Sequence, residues 1–419
     1  MLLCVLDHPT QYDPPLWRAF AKRGRMPIQV WYAEDRVPVD PELSASADWS
    51  SVHAHADGGV ERVHVPSGAL QRRLWSLTTR PRAIVVAGWR GLALQVLPYA
   101  LFKRIPVIVL VDKTLNEPAP GGALGHAYTA LQGLRARAFA GFFTPGLLGS
   151  AYLASLGFAA TRVATGMYPV DIAFWQARMR SHAELSAALR ARAPHGADTS
   201  FVLVAVCKLS ERENPLTLLE AFASFARQRP DAFFIQVGDG PLRAAFEAKV
   251  RELAIERQVH LAGYVNYGEL AGYYGAADVF AHVPAREPWG LSVLEAMACG
   301  LPVLAATSVG AAADLVQHGR TGALAYAGDR ASIARGLELI GTREQARSLG
   351  EQAAQAVARF DVACAAQALE ELVFRLENAA TETPSGKTKG KTKSNDDDAR
   401  SYARMLYSDL RNEFGKWSE

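Results

Sequence analysis

Two glutamates with seven residues between them, Glu287 and Glu295, are the residues of this chain best suited to chemistry on a polyhydroxyl ligand. A carboxylate accepts hydrogen bonds from vicinal hydroxyls, so each can grip a sugar ring. Between them, Pro288 and Gly290 mark a tight loop, and 291–298 reads as an apolar helix that Gly300 and Pro302 stop. The first amides of such a helix, at Gly290, Leu291 and Ser292, carry free N–H groups and roughly half a positive charge. That combination suits a phosphate. The expected ligand therefore places a sugar at Glu287, a ribose at Glu295 and a diphosphate between them. A lone glutamate on a solvated helix face would not come with this loop, helix and stop.

The elements that must position this segment are legible in outline. Short apolar runs at 2–6, 28–32, 83–87 and 107–111 alternate with helical or loop stretches, and a second series follows at 201–206, 233–237, 259–261, 279–282 and 303–305. This rhythm predicts right-handed strand–helix–strand units in parallel sheets buried on both faces, with ligands at the carboxyl ends of the strands. The expected fold is α/β, two Rossmann-like domains facing across a cleft. Their boundaries are 1–178 and 200–378, with a linker at 179–199 and the helical pattern of 361–378 closing the second. Beyond lie a disordered tether at 379–398, with little to bury, and an amphipathic helix at 399–419.

Composition narrows the function classes. Forty-five Lys and Arg against 42 Asp and Glu give 419 residues a net charge of +3, too little to argue for nucleic acid. The four cysteines, Cys4, Cys207, Cys299 and Cys364, lie far apart with no CxxC pair, which speaks for reduced thiols. Met1 to Leu6 reads as a first strand rather than a secretory leader, and no stretch approaches the roughly 20 apolar residues of a membrane span. A cytoplasmic protein is expected. Arginines at 72, 73, 80, 82, 90, 135 and 137, with Lys103 and Arg104, interleave with Trp75, Trp89, Tyr99 and Phe102. They read either as a peripheral contact with the inner membrane face or as solvated helix faces.

The Glu287–Val303 segment closely resembles the donor-binding signature of glycosyltransferase family 4, the retaining, nucleotide-sugar-dependent enzymes of GT-B fold. The stretches 203–215, 236–242, 261–265 and 278–280 fall in that family's order and spacing, and a thinner match at His8–Tyr12 and from Tyr152–Leu153 through Pro169–Asp171 extends the resemblance to roughly residues 1–375. It implies that Glu287 contacts the donor sugar, Glu295 the ribose, and the amides near Gly290 the diphosphate. Lys208 stands where the family has a cation facing the leaving diphosphate. A second lysine is expected a few residues on, but Glu213 occupies that position, and Arg212 beside it is the expected substitute. Gly238 and Gly240, in a glycine turn after a strand, are expected to line the nucleotide pocket, with Tyr264 and Val265 near the base.

On the acceptor side His8, Gln11, Asp112 and Lys113 are candidates by location alone, since the family's glycine-rich loop and later histidine are missing. With no Asp-x-Asp motif in the donor region, neither a metal nor a cofactor is expected. The implied activity is retaining transfer from a UDP- or GDP-linked sugar to a glycan, glycolipid or lipid-linked acceptor, in bacterial surface polysaccharide or lipopolysaccharide synthesis. Two alternatives stand beside it: a catalytically weak partner subunit of the same fold, and a sugar-nucleotide epimerase.

Overall fold

The computed structural model describes residues 1–10, 13–34, 60–115 and 130–381. Both the tether and the C-terminal amphipathic helix expected from the sequence fall largely or wholly beyond them. The described residues divide into two compact units.

The first unit holds seven parallel strands: β1 (Leu2–Leu6), β2 (Ile28–Tyr32), β3 (Glu61–His64), β4 (Ala83–Ala87), β5 (Val107–Leu110), β6 (Gly141–Thr144) and β7 (Val163–Thr165), in the order β3-β2-β1-β4-β5-β6-β7. β1 is buried along its whole length, which is why its sequence is a continuous apolar run rather than an alternation. β3, β6 and β7 were not singled out by periodicity. They are short, and β3 is a half-exposed edge strand with three polar residues in four, so pairing rather than pattern selects it.

The second unit, Val170–Asp361, holds β8 (Phe201–Val206), β9 (Ala232–Val237), β10 (Val259–Gly263), β11 (Val279–His282), β12 (Val303–Ala306) and β13 (Gly322–Ala325), all parallel in the order β10-β9-β8-β11-β12-β13. Within each sheet the strand order reverses once, at β1/β4 and at β8/β11. Crossovers on either side of that point leave for opposite faces, opening a crevice at the carboxyl ends where ligands bind in open α/β sheets.

Two boundaries differ from the sequence expectation. The helix Val362–Thr381 does not close the second unit but belongs to the first. Its Ala365, Ala366, Leu369, Leu372, Val373 and Leu376 share a core with Leu2, Cys4, Trp17 and Phe20, and Glu370 pairs with Arg23 at 2.9 Å. Helical periodicity announces an apolar stripe without naming the surface that covers it. The 179–199 stretch, expected as a linker, carries the helix Ala183–Arg190, which is packed into the second unit. Ser186 Oγ donates to the Gly272 carbonyl at 2.8 Å, and a Cβ at Gly272 would lie 2.6 Å from Leu185. Arg190 bonds both the Ala276 carbonyl and the Asp278 carboxylate.

Candidate donor site

Three loops at the carboxyl ends of β8, β9 and β11 build the site. After β8 the chain runs through Lys208 into one tight turn, Glu211–Glu213, and Asn214 takes a left-handed conformation (φ 52°) before Pro215 opens the helix Pro215–Ala226. Asparagine tolerates that conformation better than other chiral residues, and its Nδ2 donates to the Val283 carbonyl at 3.0 Å just beyond β11. The Ala285 amide donates to the Arg212 carbonyl at 2.7 Å. The loops after β8 and β11 are thus laced together on either side of the switch point.

β9 supports the same loop from beneath. At Gly238, with φ of 123°, a Cβ would stand 1.9 Å from the Cys207 carbonyl oxygen, and at Gly240 it would stand 2.6 Å from that of Leu209. Both glycines are required by close backbone approach to the segment carrying Lys208. The Leu209 amide donates to the Asp239 carbonyl at 3.1 Å, which completes the junction.

The β11 loop fixes Glu287 through its backbone. Its amide donates to the Ser308 carbonyl at 3.3 Å and its carbonyl accepts from Gly310 at 2.9 Å. Its side chain accepts from the Trp289 amide at 3.3 Å and from Arg212 Nη1 at 3.2 Å. The other arm of the Arg212 guanidinium is bonded to the buried Glu213 carboxylate. Arg212 therefore bridges the acid at the expected lysine position and the candidate sugar-binding acid. Gly290, with φ of 96°, then turns the chain into the helix Leu291–Ala298; a Cβ there would press to 2.8 Å from Val309.

Glu295 lies within that helix, buried, and accepts a hydrogen bond from the Tyr274 hydroxyl at 3.1 Å. Burial pushes its carboxyl up to about 7, while hydrogen bonds from Tyr274 and Tyr267 pull the other way. The structure thus brings Lys208, Arg212, Glu287, Gly290 and Glu295 to the β8/β11 end of one sheet. Tyr264 and Val265 leave β10 two strands away. Asp112 and Lys113 follow β5 and His8 follows β1, all in the first unit; Gln11 lies outside the described residues.

Sequence reasoning passed over Tyr274 and His282. His282 ends β11 buried, its Cδ2 3.6 Å from where a Gly290 Cβ would be. Burial first, and then the Arg212 charge, push its imidazole down to about 4, so it is neutral at physiological pH. A histidine closing an otherwise apolar strand at the ligand end was the available signal. Among the described residues no three His, Cys, Asp or Glu side chains gather as a metal site.

Residues 189–356 match the protein family described as glycosyl transferases group 1. The group 1 segment contains Lys208, Arg212, Glu287 and Glu295, whereas His8, Gln11, Asp112 and Lys113 fall before it. The chain is 30% identical over 161 residues to the N-acetyl-alpha-D-glucosaminyl L-malate synthase of Bacillus anthracis, covering 38% of this chain and 41% of that one. It is 35% identical over 140 residues to the D-inositol 3-phosphate glycosyltransferase of Pseudarthrobacter chlorophenolicus, covering 32% and 33%. The matched stretch spans less than half the length of these curated relatives.

Among solved structures, HepE of Anabaena in complex with UDP is similar with a TM-score of 0.68 at 18% identity, over 89% of this chain and 100% of that one. A sucrose-phosphate synthase of Thermosynechococcus elongatus gives 0.62 at 20%, over 91% and 100%. The lipopolysaccharide outer core galactosyltransferase WaaB gives 0.62 at 12%, over 89% and 99%. At these identities the likeness establishes the fold, which is the α/β GT-B architecture that the resemblance implied.

Proposed function

We propose that this protein transfers a sugar, with retention and without a metal, from a nucleotide sugar to a glycan, glycolipid or lipid-linked acceptor. The observation that carries it is the pairing of Arg212 with Glu287 beside the start of the helix Leu291–Ala298, where the strand order of the second unit reverses. A departing nucleoside diphosphate gains negative charge, and groups preorganised to meet it lower the barrier. Lys208, Arg212 and the amides at Gly290, Leu291 and Ser292 supply that charge. Glu287 holds sugar hydroxyls, and Glu295 with Tyr274 serves the ribose. Arg212 already neutralises Glu213, which weakens the partner-subunit reading that rests on an acid beside the diphosphate.

HepE, whose crystal structure holds UDP, and the named sugar-transfer activities of the relatives agree with this donor class. WaaB, by its name a lipopolysaccharide outer core galactosyltransferase, agrees with a place in surface polysaccharide or lipopolysaccharide synthesis, for which we propose peripheral contact with the inner membrane face. No helix among the described residues is long and apolar enough to cross a membrane.

The test is thermal stabilisation by UDP, GDP, ADP, CMP and their sugars, with and without EDTA, in the wild type and Glu295→Ala. One nucleotide family that raises the melting temperature, is indifferent to EDTA and is lost in the variant supports the donor site. No response to any nucleotide at millimolar concentration overturns it. Product analysis with the responding sugar nucleotide alone separates transfer from epimerisation, in which the altered sugar stays on the nucleotide.

A further inference from the structure

The first unit carries an apolar surface that its own core does not need. The helix Leu92–Lys103 buries Leu92, Ala93, Val96, Tyr99 and Ala100 against the sheet, which accounts for one face. Its opposite face consists of Leu94, Pro98, Leu101 and Phe102, all exposed, with Leu101 at 67% and Phe102 at 71%. A surface helix ordinarily turns polar residues outward, and one apolar on all sides is ordinarily covered. Trp75, at the end of the neighbouring helix Leu70–Trp75 and 49% exposed, extends the patch, its ring 5.3 Å from that of Phe102.

The segment that carries the patch is charged almost wholly in one sense. From residue 62 to 111 the sequence contains no Asp or Glu, and from 62 to 170 it carries twelve Lys or Arg against two acids, while the whole chain is only +3. Arg72, Arg73, Lys103 and Arg104 are exposed beside the apolar side chains, and the Lys103 ammonium lies 5.5 Å from the Phe102 ring centre. Arg80 bonds the Lys103 and Arg104 carbonyls at 3.0 and 2.7 Å, fixing this end of the helix. Not every residue of the sequence pattern belongs here. Trp89 and Tyr99 are core, and Arg82 is paired with Glu377.

We infer that this face, Trp75 and Leu94 to Phe102 rimmed by Arg72, Arg73, Lys103 and Arg104, docks on an anionic lipid bilayer. Leucine and phenylalanine enter the boundary between head groups and acyl chains, tryptophan sits at the head-group level, and the cations attract acidic lipids from the rim. A bilayer asks for no matching hydrogen-bond partners, and the apolar stripe from Leu94 to Phe102 offers none. The inference deepens the membrane-side part of the proposed function and is independent of the donor site.

The experiment is flotation of the purified full chain with vesicles of phosphatidylcholine, with or without phosphatidylglycerol. Binding is expected to the anionic vesicles only and to weaken with salt, since surface cations contribute about fivefold each and are screened. Two exposed double variants, Leu101→Glu with Phe102→Glu and Lys103→Glu with Arg104→Glu, are expected to keep the wild-type melting temperature and lose roughly tenfold or more in partitioning. Flotation unchanged in both variants would place the contact elsewhere on the chain and overturn the inference. So would equal binding to neutral vesicles, no flotation at all, or a patch that instead holds a second copy, read as a dimer that the first variant dissociates. Because flotation reads no nucleotide, its failure leaves the donor site standing, and failure of nucleotide binding leaves the docking face standing.

Discussion

The two units share one topology and differ in where their chemistry lies. Both sheets are parallel, both reverse strand order once, and both bury their central strands on two faces. At the reversal in the second unit, the β8 and β11 loops are tied by Asn214 to Val283 and by Arg212 to Glu287, so charged side chains converge. In the first unit the candidates at the same sheet edge, His8, Asp112 and Lys113, are spread over β1 and β5, and the distinctive surface is the outer face of one helix. A doubly wound sheet thus supplies a place for a site, and the loops decide whether it is filled.

The sharpest way to break this comparison is to strike one unit and read the other. Leu372→Ala removes a fully buried side chain from the core that the helix Val362–Thr381 shares with β1. A loss of about 2–5 kcal/mol in denaturant unfolding is expected, with nucleotide affinity of the folded protein unchanged. Lost nucleotide affinity at unchanged stability would assign that helix to the second unit after all.

Glu287→Gln acts in the opposite sense. A fall of about 10²–10³ in kcat is expected with little change in melting temperature, because a charged carboxylate with two acceptor oxygens becomes a neutral amide with one, and the other position becomes a donor. Retention of wild-type turnover in a coupled nucleotide-release assay would remove Glu287 from the reaction.

Arg212→Ala should touch both properties. Glu213 is left buried without its cation, costing about 1–3 kcal/mol, and kcat/KM should drop by about 10–100-fold. Arg212→Lys restores charge without the two-armed geometry and should recover only part of this. Full recovery by lysine would mean that the bridge between Glu213 and Glu287 is incidental.

The smallest effect is a pH dependence. Burial raises the folded Glu295 carboxyl to about 7, above the unfolded glutamate value of ~4.3, so the native state holds the extra proton between them and stability falls as pH rises through that window. Glu295→Gln should therefore stabilise the ligand-free protein more at pH 8 than at pH 5, by about 1–3 kcal/mol in chemical denaturation. An equal effect at both pH values would mean that the buried carboxyl is ionised throughout.

Much of the second unit was readable because its signals are local. The helix start at Leu291, the tight loop at Gly290 and the strand runs follow from neighbours in sequence. Lys208 and Arg212 were placed by resemblance, and their loop does lie at the end of β8. What could not be read was mutual: that Arg212 spans Glu213 and Glu287, that Tyr274 bonds Glu295, and that Gly238 exists to admit the Cys207 carbonyl. Each joins segments from about twenty to seventy-five residues apart, or a strand to its neighbour, and no periodicity encodes such distances. His282 escaped for the same reason, since its burial depends on what covers the end of β11.

By itself the sequence determined the α/β class, the two series of parallel strands and the loop and helix start at Gly290–Leu291, because apolar runs, turn residues and helix starts act over a few residues. Only the tertiary structure decided which sheet the helix Val362–Thr381 covers, whether 179–199 is a linker, and which of the N-terminal aromatics reach the surface. An amphipathic stripe requires burial but does not specify its partner. That choice is made by the summed packing of distant surfaces, and it is settled when the chain closes on itself.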